Sequence, residues 1–124
     1  MRSPLVLLRV GVATLLFIHG SFRAATGGVP LFGEWLSSIG LPAGVAWAAA
    51  VTTIEIVASV LLALGRFVIP IASYLVLQLL LGIALVHARD GWFVVGGGRN
   101  GAEYSVLLIL CLVVIAWDRR RQNA

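Results

Sequence analysis

The chain has 124 residues, of which 60% are hydrophobic and 11% charged, with a mean hydropathy of +1.05; it is one domain by size and too apolar to cover its own surface as a soluble globule. Its net charge of +4 rests on arginines spread along the chain except for one terminal cluster, which suits membrane orientation and argues against nucleic acid as a partner. A lone cysteine, Cys111, excludes an internal disulfide and a CxxC thiol couple.

The first apolar run covers about 5–22, with Arg2 ahead of it and Arg23 behind. Arg9 within the run, and the lack of an A-x-A site in Arg23–Gly28, separate it from a cleaved signal peptide. Next comes a short stretch, about 31–39, in which Leu31, Phe32, Trp35, Leu36 and Ile39 share one helical face and Glu34, Ser37 and Ser38 fall largely on another. It reads as a helix lying in the membrane interface. The second and third runs cover about 43–64 and 67–87. Little more than Gly65-Arg66 joins them, so they form an antiparallel hairpin, with Pro70 in the first turn of the third helix. The fourth run, about 103–118, is the shortest and must thin the bilayer or borrow flanking residues. The expected fold is all-α: a transmembrane four-helix bundle with a short interfacial helix in the first outer loop, forming one membrane domain over residues 1–124.

Four spans place both termini on one side, with Arg2, Arg66, Arg119, Arg120 and Arg121, and leave Arg23, Arg89 and Arg99 on the other. The positive-inside rule makes the richer side cytoplasmic, as in a multi-pass protein of a bacterial-type plasma membrane. Trp35, Trp92 and Trp117 then serve as interfacial anchors in the lipid bilayer.

Against this apolar background the polar residues stand out by depth. Arg9 falls in the inner part of the first span and Glu55 slightly below the middle of the second. His19, Arg23, His87 and Glu103 gather near the outer surface. A charge near mid-span costs about 2.5–3.5 kcal/mol on the insertion scale, so Arg9 and Glu55 are expected to face the interior and each other. Thr52, Glu55 and Ser59 make a polar stripe on the second span. The pair reads either as a structural link between helices or as part of a proton relay.

The outer histidines could hydrogen-bond a quinone carbonyl or simply satisfy backbone and headgroups. Two histidines with no further pattern are weak evidence for axial haem ligation. Metal binding by His19, His87 and Glu103 fits by ligand type but has no motif behind it, and no metal site is expected. The stretch HARDGWFVVGGGRNGAEY, residues 87–104, holds three glycines that match no phosphate-binding fingerprint. Asn100-Gly101 reads as a turn, and Glu103 suits the first turn of the helix that follows.

Arg9, His19-Gly20, Arg23, Glu55, His87 with Gly91-Trp92-Phe93, and Gly101-Ala102-Glu103-Tyr104 occur in this order on four spans. That constellation resembles the DoxX family of small four-helix membrane proteins, over nearly the whole chain. Its most specific part is H-x(3)-G-W-F-V followed by G-G-x-N-G-x-E-Y. One departure is that Ala58-Ser59 stand where the family often has paired glycines; small side chains are kept, so close helix packing survives. The resemblance implies a quinone-linked membrane redox component, since the family takes its name from a subunit linked to quinone-coupled thiosulfate oxidation and quinol oxidase preparations. Some relatives look like membrane partners of soluble redox-defence enzymes.

The leading expectation is therefore an integral membrane subunit, a quinone-linked redox component or a membrane partner of a soluble or membrane oxidoreductase. His19, His87 and Glu103 would supply contacts and protons, with Arg23 beside them and Arg9 and Glu55 deeper. The alternatives are a non-catalytic scaffold that anchors a soluble redox enzyme through the outer loops or the Arg119–Arg121 tail, and a small-solute transporter. The latter would need a homo-oligomer to make room for a pathway.

Overall fold

The computed structural model describes residues 3–85 and 103–123. They form five helices: α1 (Ser3–Ala25), α2 (Gly28–Ser38), α3 (Gly44–Ala63), α4 (Val68–Leu85) and α5 (Glu103–Asn123). Among the described residues there is no strand, so the chain is all-α as expected. The expected four-helix bundle needs correction. Three helices, α1, α3 and α4, are long and apolar enough to cross a membrane. The expected fourth span is α5, where Glu103 at one end and Asp118 to Arg121 at the other leave an uncharged stretch only from Tyr104 to Trp117.

Each long helix buries one stripe. In α1 the buried residues are Val12, Ala13, Leu16 and Gly20; in α4 they are Val68, Ala72 and Leu75; in α5 they are Ser105, Leu108, Leu112 and Ile115. These are steps of three and four, the spacing of one helical face. Most of them join Leu62 of α3 in a single apolar core. The opposite faces are just as apolar and fully outward: Leu7 is 73% exposed, Val57 53% and Leu110 59%. Outward grease on every long helix fits lipid as the surrounding solvent. α3 differs from the others, because its buried stripe turns polar at Thr52, Glu55 and Ser59.

Helix α1 packs on α3, α2 on α3, and α4 on α5; α3 and α4, although consecutive, touch each other much less. The α3–α4 turn is a Schellman motif. Gly65 is left-handed (φ +78°), its N–H donates to the Leu62 carbonyl (3.1 Å), and the Arg66 N–H donates to the Leu61 carbonyl (2.9 Å). The same device ends α2, where Gly40 (φ +100°) donates to the Ser37 carbonyl and Leu41 to that of Leu36.

Helix α2 begins three residues before the expected interfacial segment and is docked, with Gly33 and Leu36 buried and Phe32 and Trp35 half-buried. Leu31, placed with them on the apolar face by the sequence, is instead 68% exposed. The reason is Gly33. It sits so close to the start of α3 that an added Cβ would lie 2.5 Å from the Val45 Cα, and one at Gly44 would overlap the Gly33 carbonyl oxygen. The Gly44 N–H donates to the Ser37 hydroxyl across this contact (3.2 Å). Backbone-to-backbone contact thus sets the face that α2 turns inward.

Candidate functional site

The polar stripe of α3 meets the last turn of α1. Arg23 Nη1 donates to Glu55 Oε1 at 3.0 Å and to the Thr52 hydroxyl at 3.1 Å. The Glu55 side chain is only 2% exposed and that of Arg23 18%. Gly20 makes room for the carboxylate: a Cβ there would stand 3.3 Å from Glu55 Oε1 and 3.1 Å from Ile56 Cγ1. The Phe32 ring of α2 lies against the guanidinium, 5.0 Å from ring centroid to Cζ, a cation–π contact that shields its outer face. The Ser59 hydroxyl donates back to the Glu55 carbonyl (2.6 Å), one turn along the same helix. Tyr74 of α4 and Tyr104 of α5 both lie within electrostatic reach of the Glu55 carboxylate. One buried carboxylate of α3 is thus met by an arginine of α1, with α2 as the lid over that arginine and a tyrosine of α4 and of α5 in its electrostatic field.

The expected Arg9–Glu55 pair is not formed. Matching the expected ends of the first two spans would set Glu55 opposite Val12, about 4.5 Å along the axis from Arg9. The helices instead bring Gly20 level with Glu55, about 16 Å farther along α1 from Arg9. The difference is a slide of α1 along α3 by about 12 Å, which brings Gly20 rather than Val12 opposite Glu55. Arg9 is left at the far end of the bundle, where its Nη2 donates to the Ala63 carbonyl (3.4 Å).

His19 is exposed and does not join the Arg23–Glu55 cluster. Glu103 opens α5 and is half-buried. Trp35 is half-buried on α2, and Trp117 is 64% exposed near the end of α5. His87 and Trp92 lie outside the described residues. The sequence reading missed Phe32 as a partner of Arg23, Gly20 as the space for the carboxylate, Tyr74 altogether, and Tyr104 as a neighbour of the Glu55 charge. A hydroxyl-bearing aromatic within an otherwise aliphatic run was the available signal for Tyr74.

Beside the cluster, between α3 and α4, runs an open apolar groove of about 370 Å³ lined by Ile54, Ala58, Leu61, Phe67, Pro70, Ile71 and Tyr74. It exists because those two helices pack sparsely. Ala58 is a small residue at its floor, and Tyr74 links it to the region of Glu55. Chemically, the arrangement offers a desolvated ion pair, phenol hydroxyls and an apolar channel open to the surroundings.

No curated protein and no solved structure matches the chain. The DoxX family profile matches residues 5–88, a stretch that includes most of α1 and all of α2, α3 and α4 and leaves α5 outside. With a match over more than half of its length, this small integral membrane protein belongs to the DoxX family.

Proposed function

We propose that the protein is a quinone-linked membrane subunit, in which the groove between α3 and α4 takes the apolar tail of a quinone and the Tyr74–Glu55 region meets its head. The observation that carries this reading is the double position of Tyr74, which lines the groove and also lies within reach of the buried Glu55 charge. A phenol can donate to a quinone carbonyl or accept from a quinol hydroxyl. The Glu55 carboxylate, held by Arg23, would exchange the accompanying proton. The electrons would come from or go to a partner oxidoreductase.

In this reading α5 crosses as the fourth span, its uncharged stretch of about 21 Å compensated by local thinning. Arg9, Gly65 and Arg119 lie together at one end of the bundle, which supports a cytoplasmic side that also holds Arg66, Arg120, Arg121 and both termini.

The test is purification in mild detergent, followed by mass spectrometry of an organic extract and thermal stability with added quinone. Wild type is expected to carry quinone and to be stabilised by it, and Tyr74→Phe to bind it on the order of tenfold less tightly, the loss of one buried hydrogen bond. No quinone in the extract and no stabilisation would overturn the proposal. A scaffold that docks a soluble enzyme is favoured over it if that outcome is joined by capture of an oxidoreductase that disappears on replacing residues 27–42. The exposed polar face of α2, with Glu34, Ser37 and Ser38, is the surface that reading would use.

A further inference from the structure

At the end of the bundle opposite the Arg23–Glu55 pair, two more arginines converge. Arg119 Nη1 of α5 donates to the Gly65 carbonyl at 3.0 Å, and Arg9 Nη2 of α1 donates to that of Ala63 at 3.4 Å. A Cβ built on Gly65 would lie 3.3 Å from Arg9 Nη2 and 3.5 Å from Arg119 Nη2, so both guanidiniums crowd one glycine. Two like charges brought together by helices that are not neighbours in sequence repel unless an anion lies between or beside them. Both Nε atoms are buried and have no hydrogen-bond acceptor among the described residues. A buried N–H without an acceptor is costly, and here there are two.

Next to them lies a cleft of about 20 Å³, lined by Leu5, Val6, Arg9, Val68, Ile115, Asp118, Arg119 and Gln122. That is about the space of one oxygen-sized group. Asp118 is the one acid at its rim and accepts from Gln122 Nε2 (2.8 Å). Arg66, Arg120 and Arg121 lie nearby in sequence and keep this end positive. Leu5 and Val6 on one flank and the exposed Trp117 on α5 place the cleft where a lipid headgroup would meet its acyl chains.

We propose that this cleft is a binding site for the phosphate of an anionic phospholipid. One phosphate oxygen enters the cleft toward the free guanidinium edges of Arg9 and Arg119, and the acyl chains lie along the apolar outer faces of α1 and α5. The ligand chemistry is a phosphate ester, recognised by paired guanidiniums whose planar donors fit its oxygens. Basic pockets between membrane helices on the cytoplasmic side are suited to anionic headgroups on general electrostatic grounds. The inference concerns the end of the bundle away from the quinone reading and stands without it.

The test compares the full chain in nanodiscs of phosphatidylcholine with nanodiscs containing phosphatidylglycerol, and in detergent with millimolar inorganic phosphate. Wild type is expected to melt on the order of 5 °C higher with the anionic lipid, as a ligand that binds only the folded state requires. Native mass spectrometry should retain phosphatidylglycerol over phosphatidylcholine. The double variant Arg9→Gln/Arg119→Gln should lose both effects, whereas Arg120→Gln/Arg121→Gln, which removes as much charge from the exposed tail, should keep them. If the double variant does not fold, the wild-type comparison still decides. Equal melting and equal retention in the two lipids would overturn the proposal, as would an effect abolished by the tail variant alone. Stabilisation by inorganic phosphate without a matching effect of the lipid would overturn the lipid assignment.

Discussion

Glu55 shows how single residues carry this molecule. It is buried at mid-span, so its charge is tolerable only because Arg23, itself held by the Thr52 hydroxyl, meets it directly. Arg23→Leu leaves an uncompensated buried carboxylate and is expected to destabilise by about 3–5 kcal/mol, while Arg23→Leu/Glu55→Leu should recover much of that loss. Reversible unfolding in mixed micelles, read as a double-mutant cycle, measures the difference; a double variant as damaged as the single one would show that the pair is not the cause. Glycines give a second contrast. Gly20→Leu drives a side chain into the Glu55 carboxylate and should cost about 1–3 kcal/mol by overpacking. Gly11→Ala, also in α1, meets nothing within 4 Å and should stabilise by about 0.5–1 kcal/mol through helix propensity. The sequence made Glu55 and Arg9 visible as costly residues, because an ionised group in an apolar run needs a reason, and set Arg23 just behind its run, near the outer surface. It pointed to Arg9 instead of Arg23 as the partner, since the pairing depends on how far α1 slides along α3, and a shift along the axis does not alter a helix's own periodicity.

Among elements, α2 and the turn after α3 were the most legible. The Leu-Phe-x-x-Trp-Leu pattern announces an amphipathic helix, and Gly65 before Arg66 marks a helix end. The docked face of α2 was less legible, because it is chosen by Gly33 and Gly44, residues that carry no hydrophobic signal. Gly44→Ala places a methyl against the Gly33 carbonyl and the Ser37 hydroxyl, where backbone cannot yield as a side chain would. It should lift α2 off α3 and expose Arg23, whose ring cover, Phe32, belongs to α2. Proteolysis within residues 26–43, in protein held in micelles, should then accelerate at least several-fold relative to wild type. Unchanged cleavage would show that α2 does not depend on that contact. The length of α5 was also poorly legible as a span. Its helix continues past Trp117 through Arg119–Arg121, because nothing in that charged tail breaks a helix and basic residues favour a helix C-terminus.

For the molecule as a whole, outward apolar faces on all the long helices leave the bilayer as the only medium that suits them, a conclusion the composition alone had reached. Ser38→Cys and Gln122→Cys, each in a Cys111→Ala background, should react with a membrane-impermeant thiol reagent from opposite sides, Ser38→Cys from outside intact cells. Labelling of both from one side would remove the four-span arrangement. The uneven packing has a further bearing on biogenesis. α4 follows α3 directly yet finds its main support in α5, which leaves the ribosome after it. Until Leu108, Leu112 and Ile115 have emerged, Val68, Ala72 and Leu75 lack most of their opposing surface, and Gly65 awaits the guanidinium of Arg119. A nascent chain halted before Glu103 would therefore hold α1 and α3 together while α4 drifts at their side, a natural point for membrane chaperones or quality-control proteases to engage.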